Sequence, residues 1–207
     1  MRALGLAVFA VALTAAPSFA QTDQPTKWIS SGSFGRSFGG STKGPSANLG
    51  ASLAYRFKEG RIGIEVIAQG TPNFQARDSR FDSEPKLNSY MGNIVFYAPR
   101  GPAGRVQPYA AGGFGAMQFM SNVKPFAGAG AAVIANEFKP GFDVGAGVIL
   151  ITSTSGDKPV LGFLADVRFF KAVSSTGNRS TPELAYADSY LSGASIWRSS
   201  FGIVVGW

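Results

Sequence analysis

The sequence predicts an all-β fold, an eight-stranded antiparallel up-and-down transmembrane β-barrel, and three observations lead there. Apolar residues fall at every second position through stretches of about ten residues, the period of a strand with one apolar face. The residues between them are mostly Gly, Ser and Ala, where an exposed soluble face would carry Lys and Glu. Connections between the stretches alternate short and long, as in a barrel with tight turns at one end and loops at the other. Only 15% of the 207 residues are charged while 45% are hydrophobic, against roughly 25% charged in an ordinary soluble domain.

The chain begins with an address. Met1-Arg2 is followed by an apolar run from Leu4 to Ala16, a breaker at Pro17, and Ser18-Phe19-Ala20 as a small-x-small cleavage site. That is the secretory pattern, too short and wrongly flanked for a spanning helix. Residues 1–20 are therefore expected to be a cleaved signal peptide, and 21–207 the barrel domain. No later run reaches the 18 apolar residues of a spanning helix, so a membrane would be crossed by strands.

The first strand, Trp28 to Ser37, is rich in Ser and Gly, and its facing stays open. The second sets Leu49, Ala51, Leu53, Tyr55 and Phe57 against Asn48, Gly50, Ser52, Ala54 and Arg56. Lys58-Glu59-Gly60 turns into the third, with Ile62, Ile64, Val66 and Ala68 on one face. A noisier fourth has Tyr90, Ile94, Phe96 and Ala98; the fifth runs Val106, Pro108, Ala110, Gly112, Phe114 and Ala116. The sixth spans Phe138 to Leu150, the seventh Leu161 to Phe170, and the eighth Trp197 to Trp207. Short connections lie at 58–60, 99–104 and 152–158; long ones lie near 38–47, 70–87, 119–137 and 172–195. Ten residues is the length a tilted strand needs to cross a bilayer. In hydrocarbon every backbone N–H and C=O needs a partner, which only a closed sheet supplies.

One echo leaves an alternative. Val106-Gln-Pro-Tyr-Ala-Ala recurs as Val123-Lys-Pro-Phe-Ala-Gly. Either the third long loop carries an apolar extension, or 123–135 is a strand that needs another near 184–192, giving ten.

Composition also restricts chemistry. Without Cys there is no thiol nucleophile, disulfide or thiolate metal site, and without His no imidazole base or ligand. No Ser sits in a nucleophile-elbow context, the Gly128-Ala-Gly130 run lacks the rest of a dinucleotide fingerprint, and no phosphate-binding loop exists. The sequence offers no catalytic, cofactor or metal residues, and none of the charge forms a nucleic-acid stripe.

What it does offer is a set of inward charges: Arg56, Glu65, Asp143, Asp166, Arg168 and Arg198, with Lys139 nearer a rim. If the 152–158 turn closes between 151 and 160, Asp143 falls beside Arg168; symmetric closure of 172–195 puts Arg198 level with Arg168 and diagonal to Asp166. A salt-bridged plug across the last three strands is expected, because buried charges persist only when paired. Arg56 and Glu65 flank the first short turn and are expected to pair near that rim.

Pro108-Tyr109-Ala-Ala-Gly-Gly-Phe-Gly115, Gly141-Phe-Asp-Val-Gly-Ala-Gly-Val148, Ala165-Asp-Val-Arg-Phe-Phe170 and the closing Phe201-Gly-Ile-Val-Val-Gly-Trp207 carry a resemblance. The chain resembles the small eight-stranded outer-membrane barrels of Gram-negative bacteria, the OmpA/OmpX-like or opacity-type porin group. The resemblance implies the bacterial outer membrane as location, its lipid and lipopolysaccharide as surroundings, and the barrel-assembly machinery as a partner reading Phe201, Ile203, Val205 and Trp207. Because a lumen of eight strands is generally filled and the chain has no His, the expected role is non-enzymatic, structural and surface-displaying, with extracellular loops contacting a ligand or host partner. A narrow channel for small solutes is the alternative.

Overall fold

A computed structural model of the chain describes residues 27–57, 61–78, 80–81, 85–99, 105–125, 133–152, 160–173 and 181–207. The expected signal segment 1–20 and the loop segment 126–132 lie outside the described residues. Eight strands follow in order: β1 (Trp28–Phe38), β2 (Ser46–Arg56), β3 (Ile62–Thr71), β4 (Lys86–Tyr97), β5 (Val106–Val123), β6 (Val133–Ile151), β7 (Val160–Ala172) and β8 (Ser195–Gly206). Each pairs antiparallel with the next, and β8 pairs with β1 to close the barrel. At the seam the Trp207 carbonyl accepts from the N–H groups of Lys27 and Trp28, and the Trp207 N–H donates to the Trp28 carbonyl.

The register fixes the shape. Stepping through directly paired residues from Trp28 to Tyr55, Ile64, Ile94, Gly112, Val144, Phe169 and Trp197 returns to β1 at Phe38. The ten-residue stagger corresponds to strands tilted about 40° from the barrel axis. Eight strands at that tilt enclose a lumen that side chains can fill.

Alternation sorts the two faces. Outward stand Phe34, Val66, Phe114, Phe163 and Ile203, the first three 65%, 69% and 75% exposed. The open facing of β1 is settled: Trp28, Phe34 and Phe38 point out, while Ser31, Ser33 and Ser37 are buried. Aromatic rings form two belts. Phe114, Phe142, Phe169 and Trp197 stack in sequence at 6.4, 6.4 and 5.0 Å near the loop end. Trp28, Tyr55 and Phe57 stack at 4.9 and 5.8 Å near the turn end. Trp28 and Phe38 mark the two belts on β1, and ten tilted residues separate them by about 25 Å along the axis, the height of a lipid-facing band.

Inside, two apolar layers bracket a polar one. Ile29, Val95, Tyr97, Tyr109, Ile149 and Val204 fill the turn end. Met91, Met117, Phe119, Phe170 and Ile196 fill the loop end.

Two features differ from the sequence expectation. β5 and β6 stay paired through Val123 and Val133, well beyond the last β7 partner of β6, Gly141. Residues 182–192 form a helix, α1 (Pro182–Ser192), so the ten-strand alternative is overturned. The Thr181 side chain accepts from the Leu184 N–H and Pro182 opens the first turn, an N-terminal cap that commits this segment to helix. Ala187 and Leu191 of α1 are fully buried among Phe74, Phe81 and Phe119 at the barrel mouth. The helix packs against the inner face of the long β5–β6 hairpin.

Closure can be tested at the β1–β8 seam. A Cβ at Gly35 would stand 1.8 Å from the Ser199 carbonyl oxygen, whereas a Cβ at Gly193 meets nothing within 4 Å. Gly35→Val is expected to abolish the compact, heat-modifiable band on an unboiled SDS gel after refolding; Gly193→Ala is expected to keep it.

Candidate functional site in the barrel lumen

The polar layer is built by inward residues from five strands. β3 supplies Glu65, β4 Asn93, β5 Tyr109, β6 Asp143, and β7 both Asp166 and Arg168. Arg168 is 1% exposed and lies at the centre. Its Nη1 stands 2.8 Å from Glu65 Oε2 and its Nη2 donates to Oε1 at 3.2 Å, a two-pronged contact. Nη1 also meets Asp143 Oδ2 at 3.3 Å, and Nε meets Asp166 Oδ2 at 3.0 Å. Asn93 Nδ2 donates to Glu65 and Asp143 at 3.1 and 3.3 Å, and the Tyr109 hydroxyl donates to Asp166 at 3.0 Å. Three carboxylates thus share one guanidinium whose planar fork can serve them together. Asp143 Oδ1, Asp166 Oδ1 and Asn93 Oδ1 are buried without a hydrogen-bond partner among the described residues.

Glycines on the paired strand β6 make room for these long side chains. A Cβ at Gly145 would lie 2.5 Å from Arg168 Cγ, and one at Gly147 would lie 2.7 Å from Asp166 Cβ. The small-residue alternation of β5 and β6 is the negative image of the charged layer.

Register places the remaining charges elsewhere than expected. β6 and β7 pair two residues out from the symmetric estimate: Asp143 lies opposite Phe170, and Gly145 opposite Arg168. The Asp143 side chain still reaches Arg168 because it runs diagonally. Arg198 does pair directly with Arg168, yet its side chain is held one layer nearer the loops by neutral oxygens. Its Nε donates to Ser37 Oγ at 3.3 Å and its Nη2 to Thr71 Oγ1 and the Leu87 carbonyl at 3.3 and 3.1 Å. Nη1 donates to Ser89 Oγ and to Gln69 Oε1, the latter at 3.4 Å, and the guanidinium lies 4.8 Å from the Phe170 ring centre. Like charges on paired residues separate, so the expected alternating Arg–Asp chain becomes two stacked layers. Glu65 is committed to Arg168 rather than to the rim. Arg56 instead donates to Gln107 Oε1 at 2.7 Å and stacks 3.9 Å over Tyr97. A small cavity bordered by Ser31, Ser52, Glu65, Tyr97 and Tyr109 lies between this rim and the charged layer.

The loop-end mouth holds a group of which the sequence reading named only Lys139. Lys139 Nζ meets Asp188 Oδ1 of α1 at 2.5 Å, with both side chains buried. Phe81 stacks with Phe119, Tyr186 and Tyr190 at 5.0, 5.8 and 4.7 Å. The Tyr190 hydroxyl donates to the Ser41 carbonyl at 2.6 Å and accepts from the Arg77 N–H at 3.2 Å, while Tyr186 donates to Asp78. Burial pushes the Tyr190 phenol up from its ordinary value. The legible signal was Thr181-Pro182-Glu183 ahead of Leu184, Ala187 and Leu191, a cap followed by helical spacing. Of the C-terminal residues, Phe201 and Ile203 face outward and exposed, with Val205 and Trp207 partly so.

No protein-family model matches the sequence, and no curated protein matches it. Solved structures do match. Neisserial surface protein A aligns with a TM-score of 0.54 at 12% identity, covering 87% of this chain and 96% of that one. The N-terminal β-barrel domain of Pseudomonas aeruginosa OprF aligns at 0.52 and 11%, covering 89% and 100%. A major outer membrane protein of Thermus thermophilus aligns at 0.54 and 10%, covering 87% and 99%. The chain has the fold of the small outer-membrane β-barrels. At such identities the likeness lies in strand number, order and closure.

Removing the central guanidinium leaves three buried carboxylates without their shared cation. Arg168→Met is expected to cost about 3–5 kcal/mol, read as a lower urea midpoint for the barrel refolded in lipid; an unchanged midpoint would show that the layer is not linked. Asp188→Ala takes away the carboxylate at Lys139, and limited proteolysis should then cut within 181–194 at least several-fold faster than in the parent.

Proposed function

We propose that the chain is a non-enzymatic integral protein of a bacterial outer membrane, a closed anchor that displays its long-loop end at the cell surface and acts there by contact. The observation that carries this reading is the filled lumen. Two apolar layers, the Arg168 layer, the Arg198 layer and α1 succeed one another along the axis, so that the described side chains fill the bore from one end to the other. The outward belt of exposed apolar side chains suits lipid, and the structural neighbours are outer-membrane barrels. In this reading residues 1–20 are an export signal removed on secretion. Phe201, Ile203, Val205 and Trp207 form the strand that the assembly machinery reads. Surface contact runs through the connections β3–β4, β5–β6 and β7–β8, to a ligand or host surface. Lipid and lipopolysaccharide surround the belt.

A narrow channel is the competing reading, favoured by the small cavity beneath the charged layer and by the unpartnered carboxylate oxygens of Asp143 and Asp166. Planar-bilayer recording separates the two. The anchor reading expects no stepwise conductance from the wild-type barrel; discrete steps that change on Asp143→Asn would establish the channel instead. Fractionation of cells expressing the full chain is expected to place a heat-modifiable band in the outer membrane.

A further inference from the structure

The lipid-facing surface carries a charge pattern that the lumen does not explain. Among the described residues three charged side chains face outward from strands: Arg36 on β1, Lys86 on β4 and Lys171 on β7. All three are cationic and exposed, and all lie toward the long-loop end of their strands; no carboxylate faces outward from a strand. A charge on this face is expelled from the middle of a bilayer and tolerated only near its surface. Neither Arg36 nor Lys171 has an ion-pair partner among the described residues.

Their positions converge on one residue. Arg36 precedes Phe38 by two positions and Lys171 follows Phe169 by two, and Phe38 and Phe169 both pair with Trp197 of β8. In a barrel tilted about 40°, paired residues climb about 3 Å toward the loop end at each strand step. That climb brings Arg36, Trp197 and Lys171 to within about 4 Å of one height, with about 6 Å of circumference between successive strands. Two cations about 12 Å apart therefore flank one indole. Trp197 is 44% exposed and stacks 5.0 Å from Phe169, inside the outer aromatic belt. Below the three lie the exposed apolar side chains of Phe34, Val167 and Phe201.

We propose that Arg36, Trp197 and Lys171 form a binding site for a diphosphorylated glycolipid of the outer leaflet, of the lipid A type. Arg36 and Lys171 each hold one phosphate at opposite ends of the disaccharide. Trp197 lies against the sugar between them, and the acyl chains run down over Phe34, Val167 and Phe201. The guanidinium suits forked phosphate contact and the lysine acts as a point charge. Like charge at both ends and an aromatic platform at the centre select a ligand with two separated anions over one with a single phosphate. The inference rests on the outer-membrane orientation proposed above and adds a defined site to it.

The test uses the full chain refolded in neutral detergent and titrated with diphosphoryl lipid A, monophosphoryl lipid A or phosphatidylglycerol, with bound lipid counted by native mass spectrometry. The wild type is expected to retain one diphosphoryl lipid A. Arg36→Ala and Lys171→Ala should each weaken it about tenfold, as for loss of one charged hydrogen bond, and monophosphoryl lipid A should bind the wild type correspondingly less. Lys86→Ala, half the circumference away, should change nothing. The charge-keeping pair Arg36→Lys with Lys171→Arg should retain binding, which keeps the test valid if an alanine variant folds poorly. Equal retention of diphosphoryl lipid A by the wild type and the double alanine variant, or equal retention of phosphatidylglycerol and diphosphoryl lipid A by the wild type, overturns the site. Loss of the heat-modifiable band in the wild type would instead overturn the membrane-barrel reading itself.

Discussion

Backbone hydrogen bonding in a medium without water is the constraint on which the rest of this molecule depends. A strand in hydrocarbon has no solvent to satisfy the N–H and C=O groups along its edges, so the sheet must meet itself. Here β8 returns to β1, and the Lys27, Trp28 and Trp207 backbone groups complete the seam. Closure with eight strands and a ten-residue stagger then sets the bore. The bore in turn dictates what the inward residues can be: where Arg168 and Asp166 project inward, Gly145 and Gly147 must stand opposite.

The interior solves a packing problem with charge. A narrow lumen lined with Gly and Ser leaves space that water would otherwise fill, and Arg168 occupies it while bonding to residues on β3, β6 and β7. Arg198 performs the same service one layer up, tying β8 to β1, β3 and β4 through neutral oxygens. Cross-lumen bonds of this kind hold strands that are distant in sequence, so they resist shear of the sheet where ladder bonds alone would permit it. Such layers are high-stakes, because each member deprived of its partners becomes a buried, unsatisfied charge.

In the proposed reading, contact falls to the surfaces that the lumen does not use. At the loop end α1 is pinned by Lys139–Asp188 and by the Phe81 ring from the β3–β4 connection. Around the girth, the belts set by Trp28 and Phe38 define the depth at which the barrel sits. The cations at Arg36 and Lys171 stand at the loop-side edge of that belt, where the proposed glycolipid site lies.

Strand number and, in every strand but β1, facing were legible in the sequence because a two-residue period records which side faces outward, and each such strand records it independently. The inward charges were legible for the same reason, as interruptions of small-residue faces. Their partners were not. Register between β6 and β7 depends on how a connection closes, and a shift of two residues preserves every facing while moving Asp143 from Arg168 to a diagonal. The β1 facing was hidden by Ser and Gly, which fit either side of a sheet. α1 carried a cap and spacing of its own, but its burial depends on Phe74, Phe81 and Phe119 meeting it from other connections. Local periodicity fixes what each segment exposes; only the closed sheet decides which distant side chains share a layer, because those contacts run across the lumen and leave no trace along the chain.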